Sequence, residues 1–297
     1  VKEESLMPKG MLVLFLSLLT VAPSAPSPDR DADPATVISD MKSSDPAVRK
    51  SAYDAAMRLG APMVSPLLDV VGQGEAAPAH VAQMALTRIV GVASSSGAKS
   101  QAEKVRDALL SRLAQSGDNN DRARVVAAQL LGLIGSDDRR TARALKDAVL
   151  GGGRVAGAAL EAAQRIPGGR ITDALLDALP QVQPPGKVAL ILALGARKDR
   201  RALPALSRLA QQESGEVQVA ALQALGVLGD PQAASVLQTV AQSGAEASRK
   251  AAVDALLLLA DAPGLKASAR AQILQAAQKL AVTEAQKEAA RAALSKP

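Results

Sequence analysis

The stretch EVQVAALQALGVLGDPQAASVLQTVAQSG, residues 216–244, carries the plan of the fold. Val217, Ala221, Ala224, Leu225 and Leu228 fall within an arc of roughly 100° at helical spacing and make one apolar face. Asp230-Pro231 then breaks and restarts the chain. Asp accepts hydrogen bonds from the first free N–H groups of a helix, and Pro at the first helical position gives up no donor the helix needs. A shorter second helix follows, with Val236, Leu237 and Val240 inward, Ala241 beside them and Ser243-Gly244 as its end. A hairpin this small cannot hide its apolar faces alone, so it predicts neighbours built in the same way.

Those neighbours recur at a period near thirty-one. Gly226 marks the first helix of this unit; Gly195, Gln164, Gly132, Arg88 and Met57 mark earlier ones, and Leu257 marks a later one. The only wide gap lies between Arg88 and Gly132, and the segment ASSSGAKS, residues 93–100, is expected to be a polar loop inside the second unit. A helix interior pays about 1 kcal/mol for each Gly. Recurrence of Gly132, Gly195 and Gly226 therefore points to a crowded position where a side chain would meet the next layer.

Composition supports this plan. Apolar residues make up 48% of the 297 residues and aromatics only 1%, Tyr53 and Phe15. Ala and Leu must fill nearly all the interior, which suits closely packed helices. Sustained β-branched runs with period-two alternation are absent. The fold class is therefore all-α, a right-handed α-solenoid of helical hairpins, about seven units over residues 45–283, with 284–297 as a capping helix or tail.

The beginning of the chain reads differently. Lys9 precedes the apolar run MLVLFLSLLTV, residues 11–21, and small residues and prolines follow to Pro28. That order resembles a secretory signal. Residues 1–24 are expected to be a signal peptide and 25–44 a flexible segment, placing the protein in the periplasm or outside the cell; the alternatives are an uncleaved amphiphilic anchor and a buried helix capping the stack in a cytoplasmic protein. Membrane contact is expected only through the signal segment.

The pattern Val-x-Ala-x-Gln-x-Leu-Gly-x-[Leu/Ile]-Gly-[Asp/Ser] occurs at residues 125–136 and again at 219–230. It resembles the HEAT-repeat superfamily, and is similar to the short bacterial units of phycobilisome lyase-type proteins. The resemblance extends over about residues 45–280 and implies the fold. The fourth unit departs from it, with Gln164 at the glycine position and Ile166-Pro167-Gly168-Gly169 at the turn. Relatives that act on damaged DNA use an aromatic cleft, whereas Tyr53 is the sole aromatic here beyond the signal-like segment. No catalytic residue of the lyase-like members can be carried over.

The chain holds no Cys and one His, His80, in the first helix of the second unit. Thiolate chemistry and disulfides are thereby excluded, and no metal-ligand cluster or HExxH pattern occurs. Ser94, Ser95, Ser96 and Ser100 have no base at a telling spacing, and Gly151-Gly152-Gly153 lacks the Lys-Ser/Thr pair of a phosphate loop. Catalytic residues, cofactors and metals are not expected, and the chain is read as a non-enzyme. The paired acids Asp137-Asp138 and Asp173/Asp177 read as solvated surface charges.

The formal net charge is +6. In HEAT-like solenoids the second helices line the binding face, so their outward positions matter. Arg140, Arg143, Arg201 and Arg208 are the candidate partner-binding residues there. DRRTARAL at 138–145 matches DRRALPAL at 199–206, which puts Arg140 and Arg201 at one point of their helices. Acids interrupt the basic patch, and stacking aromatics are missing, which disfavours nucleic acid. A non-catalytic scaffold for a protein or peptide with acidic patches fits best. An envelope polyanion is a second kind of ligand, and the alternatives are an enzyme subunit or lyase-like accessory protein, or a non-specific nucleic-acid binder.

Overall fold

Asp, Pro and Gly punctuate the helices much as the pattern predicts. A computed structural model describes residues 33–95, 97, 99–115 and 121–295 of the chain. The signal-like segment 1–24 and the first part of the segment 25–44 lie outside the described residues. Among the described residues there are sixteen α-helices and no strand. Helix α1 is Pro34–Met41; α2 (Pro46–Leu59) and α3 (Val64–Gln73) form the first unit, α4 (Ala76–Ser95) and α5 (Lys99–Ala114) the second. The third holds α6 (Asp121–Ile134) and α7 (Arg139–Leu150), the fourth α8 (Gly153–Arg165) and α9 (Gly169–Ala178). Then come α10 (Gly186–Ala196) with α11 (Leu203–Gln212), α12 (Gly215–Leu228) with α13 (Ala234–Ser243), and α14 (Glu246–Ala260) with α15 (Ala267–Leu280). The last helix is α16 (Glu284–Leu294).

Even-numbered helices form one layer and odd-numbered helices the other, in an all-α right-handed solenoid. Val217, Ala221, Ala224, Leu225 and Leu228 of α12 are all buried, as are Leu237, Val240 and Ala241 of α13, whereas Val236 is half-buried. Among the described residues no helix is long and apolar enough to cross a membrane.

Connections within a unit differ from those between units. Inside the third, fifth and sixth units the turn carries an Asp cap, and the first, fifth and sixth add a short 3₁₀ turn, Ala61–Met63, Arg200–Ala202 and Pro231–Ala233. Between units the link is two residues in several places, such as Gly74-Glu75, Gly151-Gly152 and Gly244-Ala245. Short links force antiparallel neighbours. Among helices adjacent in sequence, α13 with α14, α11 with α12 and α3 with α4 pack most closely, each across a two-residue unit boundary.

This phase corrects two expectations. Residues 34–41 of the segment expected to be flexible are helical, with Pro34 in the first turn and Val37 and Met41 buried. They pack on α2, which needs a preceding odd helix just as α12 needs α11. The second correction concerns residues 93–100: Ala93, Ser94 and Ser95 continue α4, and Lys99 already opens α5. The wide spacing comes instead from longer helices, 20 and 16 residues in α4 and α5.

The marker glycines sit where even-layer helices touch. A Cβ on Gly226 would lie 2.9 Å from the Cα of Ala255 in α14, and one on Gly195 would lie 2.7 Å from the Cα of Ala224 in α12. On Gly132 it would lie 3.1 Å from the Cα of Ala162 in α8. These three pairs, α12–α14, α10–α12 and α6–α8, are the closest in the layer. Where the marker is Met57, Arg88, Gln164 or Leu257, the helix stands looser against its successor.

Gly226→Leu should lower stability by at least ~1–3 kcal/mol, because overpacking displaces neighbours and here the neighbour is backbone. Gly91→Ala is the control: that helical position has nothing within 4 Å. It should raise stability by up to about 1 kcal/mol through helix propensity. Thermal and urea unfolding would read both, and similar responses at the two sites would refute the close approach.

Candidate functional site

The odd-layer surface was expected to present Arg140, Arg143, Arg201 and Arg208, and all four side chains are exposed. Local geometry starts with aspartates. Asp138 caps α7 by accepting from the N–H groups of Arg140 (2.8 Å) and Thr141 (2.9 Å). Asp199 accepts from the N–H of Arg201 at 3.1 Å. Arg140 and Arg201 thus stand at the same point after their caps, as the matching sequences imply. Each reaches back one unit: Arg140 to Asp107 of α5 at 2.9 Å, and Arg201 to Asp173 of α9 at 3.5 Å.

Two further bridges complete a chain of ion pairs. Arg112 of α5 meets Asp69 of α3, and Lys146 of α7 lies 3.7 Å from Asp177 of α9. Four successive odd helices, α3, α5, α7 and α9, and the 3₁₀ turn Arg200–Ala202 that leads into α11 are therefore linked by charge. Arg143 and Arg208 behave differently. Arg143 has only Asp147 on its own helix, at 3.7 Å, with its side chain 85% exposed. Arg208 makes no ion pair among the described residues, and neither does Arg139.

A cleft of about 420 Å³ lies between α7 and α9. Arg143 is the one predicted residue that lines it, together with Arg139, Lys146 and Arg170, and with Asp147, Asp173 and Asp177. Arg140, Arg201 and Arg208 lie outside it. Sequence reasoning missed Arg139 as a contributor; its signal was the i, i+4 spacing to Arg143, which puts both on one helix face.

The acids are not merely solvated charges. Asp137 crosses to the fourth unit and accepts from the N–H groups of Ile171 (2.9 Å) and Arg170 (3.2 Å), so it caps α9 from the neighbouring unit. Gly168 and Gly169, the apparent departure from the repeat pattern, make room for this. A Cβ at Gly168 would collide with the Asp137 carboxyl, and one at Gly169 with the Arg201 guanidinium. Arg197 completes the joint: its Nε donates to Thr172 Oγ1 at 2.9 Å, and its two terminal nitrogens donate to the carbonyls of Ala163, Ile166 (3.0 Å) and Gly168 (2.6 Å). Burial lowers the Arg197 pKa, an effect that Asp199 and Asp137 oppose.

Partial burial works against ionisation of Asp138, yet the hydrogen bonds from Ser136, Thr141 and Arg140 outweigh it and hold the carboxyl below its ordinary value. His80, the single histidine of the chain, is exposed. Among the described residues, no group of three or more His, Asp or Glu is arranged to hold a metal ion.

A family model described as HEAT repeats matches residues 172–257, from α9 into α14. No curated protein matches the chain. Among solved structures, the complex of CpcE and CpcF of the phycocyanin lyase from Nostoc sp. PCC7120 is similar at 19% identity and TM-score 0.35, covering 93% of this chain and 98% of that one. An engineered protein matches at 18% identity and TM-score 0.39, covering 87% and 77%. A designed armadillo repeat protein in complex with the peptide (KR)4 matches at 15% identity and TM-score 0.24, covering 89% and 98%. The repeat match and the stacked helix pairs agree on a HEAT-type helical-repeat fold.

The cap at Asp138 has a pH signature. Asp138→Ala should cost ~1 kcal/mol near neutral pH, the usual value of a lost N-cap. Because the folded-state pKa is depressed, this stabilisation is present above the ordinary carboxylate range and fades as pH falls through the folded value. Urea unfolding at pH 7 and about pH 3 should show the wild-type advantage shrinking in acid; a constant gap would mean the carboxylate charge is irrelevant.

Proposed function

We propose that the chain is a non-catalytic scaffold that holds a protein or peptide partner with acidic patches against the odd-helix layer. The observation that supports it is the division among the cations. Arg112, Arg140, Lys146 and Arg201 tie neighbouring units together, while Arg143, Arg208 and Arg139 project without a tie to another helix. Arg side chains can grip a carboxylate with two parallel hydrogen bonds, so exposed Arg residues on a fixed lattice suit acidic side chains. Arg140 and Arg201 belong to the same proposed surface, but a partner must compete there with Asp107 and Asp173. The lyase-type resemblance brings no residue that would make this chain an enzyme.

The proposal ranks the four predicted residues. Arg143→Glu with Arg208→Glu should weaken capture of an acidic partner about tenfold or more at low salt, and the loss should fall as salt screens the surface. Arg140→Glu with Arg201→Glu should weaken it less and shift stability by no more than ~1 kcal/mol, since exposed ion pairs contribute little. The partner would first be recovered by pull-down and mass spectrometry, then titrated against both variants by calorimetry. Unchanged affinity in the Arg143/Arg208 variant would remove the odd-helix cations from the reading.

We also propose export, on the strength of Lys9 and the apolar run at residues 11–21. Expression in a bacterium followed by fractionation and N-terminal sequencing should find a start near Ala25 in an envelope fraction. Uncleaved protein in the cytoplasmic fraction would count against it.

A further inference from the structure

The cleft between α7 and α9 is polarised along its length. These helices occupy the same place in consecutive units, so their first turns lie at one end. Arg139 and Arg143 are one turn apart on α7, and Arg170 stands in the first turn of α9. At the other end are Asp147 of α7 and Asp177 of α9, with Lys146 drawn to Asp177 at 3.7 Å. The remaining carboxylate of the lining, Asp173, is taken by Arg201. Asp137 and Asp138, at the cationic end, spend their carboxylates on the helix N–H groups of α9 and α7. Among the described residues, one end therefore keeps two arginines free of any other helix, and the other keeps Asp147, whose one ion pair is the loose one to Arg143.

We propose that this cleft binds an extended protein segment carrying both signs of charge, a carboxylate held at Arg139 and a cation at Asp147 and Asp177. The proposal rests on the scaffold reading and narrows its partner from an acidic patch to a charge-patterned one. Geometry sets the spacing. Arg139 and Asp147 are eight residues apart on α7, about 12 Å at 1.5 Å per residue. An extended segment covers that distance in about four residues at ~3.3 Å each. Glu and Lys four positions apart are therefore the matching pair. Fixed helices keep this spacing without a closing motion, so a wrong spacing cannot be accommodated by the scaffold. A uniform polyanion meets Asp147 and Asp177 as repulsion, which gives the cleft a means of rejecting it.

The test uses the full chain and fluorescein-labelled ten-residue peptides read by anisotropy at low ionic strength. One peptide carries Glu and Lys four positions apart in a Gly/Ser background; a second has them adjacent; a third replaces the Lys by Glu; heparin stands for a polyanion. The first peptide should bind about three- to tenfold tighter than the second and third, the scale of one or two exposed ion pairs. Asp147→Asn should abolish its advantage over the all-Glu peptide, and Arg139→Ala with Arg143→Ala should weaken every acidic peptide. All of these residues are exposed, so the variants should keep the wild-type circular dichroism. Equal or tighter binding of the all-Glu peptide or heparin would overturn the proposal while leaving an acidic-partner scaffold standing. Absence of binding by any peptide would overturn it too. The scaffold reading fails separately, if the Arg143/Arg208 variant captures its recovered partner unchanged.

Discussion

The close contact of glycine in one even-layer helix with the backbone of alanine in the next is the constraint on which the stack depends. At Gly195 and Gly226 the helices touch so nearly that a single added carbon would overlap the Cα of Ala224 or Ala255. Dispersion between backbones at this range is individually small but runs along whole helices. It also explains how a chain almost without aromatic rings reaches a filled interior: the layers are brought together until small side chains suffice. The helix propensity surrendered at three glycines, about 1 kcal/mol each, is the cost of that approach.

Where the glycine is missing, other forces hold the units. Gln164 is exposed and α8 stands looser against α10, and the link from α9 to α10 is the long proline-bearing stretch at residues 179–185 rather than two residues. Polar bonds concentrate at this joint. Asp137 from the third unit caps α9, and Arg197 and Arg201 from the fifth unit hold the turn that precedes it. A helix start without its own cap leaves N–H donors, which Asp137 satisfies, while Arg197 donates to the carbonyls at the end of α8 and in the turn. The turn Pro167-Gly168-Gly169 is therefore shaped by residues thirty positions away on either side, which makes the fourth unit a joint rather than a decayed copy.

Those long-range partners mark the limit of what the sequence reveals. Amphipathic spacing, Asp caps and marker glycines are local signals, and the helices they imply in the sixth unit are present with the expected buried face. The crowding at Gly226 was legible because the same residue recurs at a fixed period. By contrast, α1 was hidden: eight residues with two apolar side chains, Val37 and Met41, carry too little pattern to announce a helix. It folds because α2 offers a surface to cover. The α4–α5 break was misplaced because Ala93, Ser94 and Ser95 look like loop residues but continue a helix already propagating, which adds a hydrogen bond per residue at little cost. At the candidate site, the exposure of Arg140, Arg143, Arg201 and Arg208 followed from helical phase. Their pairing did not, since the carboxylates belong to other units and a one-turn offset decides whether they meet.

Pairing matters more to the surface than charge does. A formal net charge of +6 describes how the chain repels or attracts at a distance. At contact range, several cations of the odd layer already face a carboxylate of a neighbouring unit. Each such bridge is worth little in water, but it fixes a guanidinium in place and leaves a neighbour like Arg143 uncommitted. The stack thus sorts one composition of arginines into two populations, those that hold the lattice in register and those that the lattice presents. Spacing within the second population is inherited from the first: the even-layer contacts and the ion-pair chain set where α7 lies beside α9, and that placement puts Arg139 and Arg143 at one end of a cleft and Asp147 at the other. Recognition on such a surface depends on the order of charges along a partner, because the same helices that bring the arginines together also bring the aspartates.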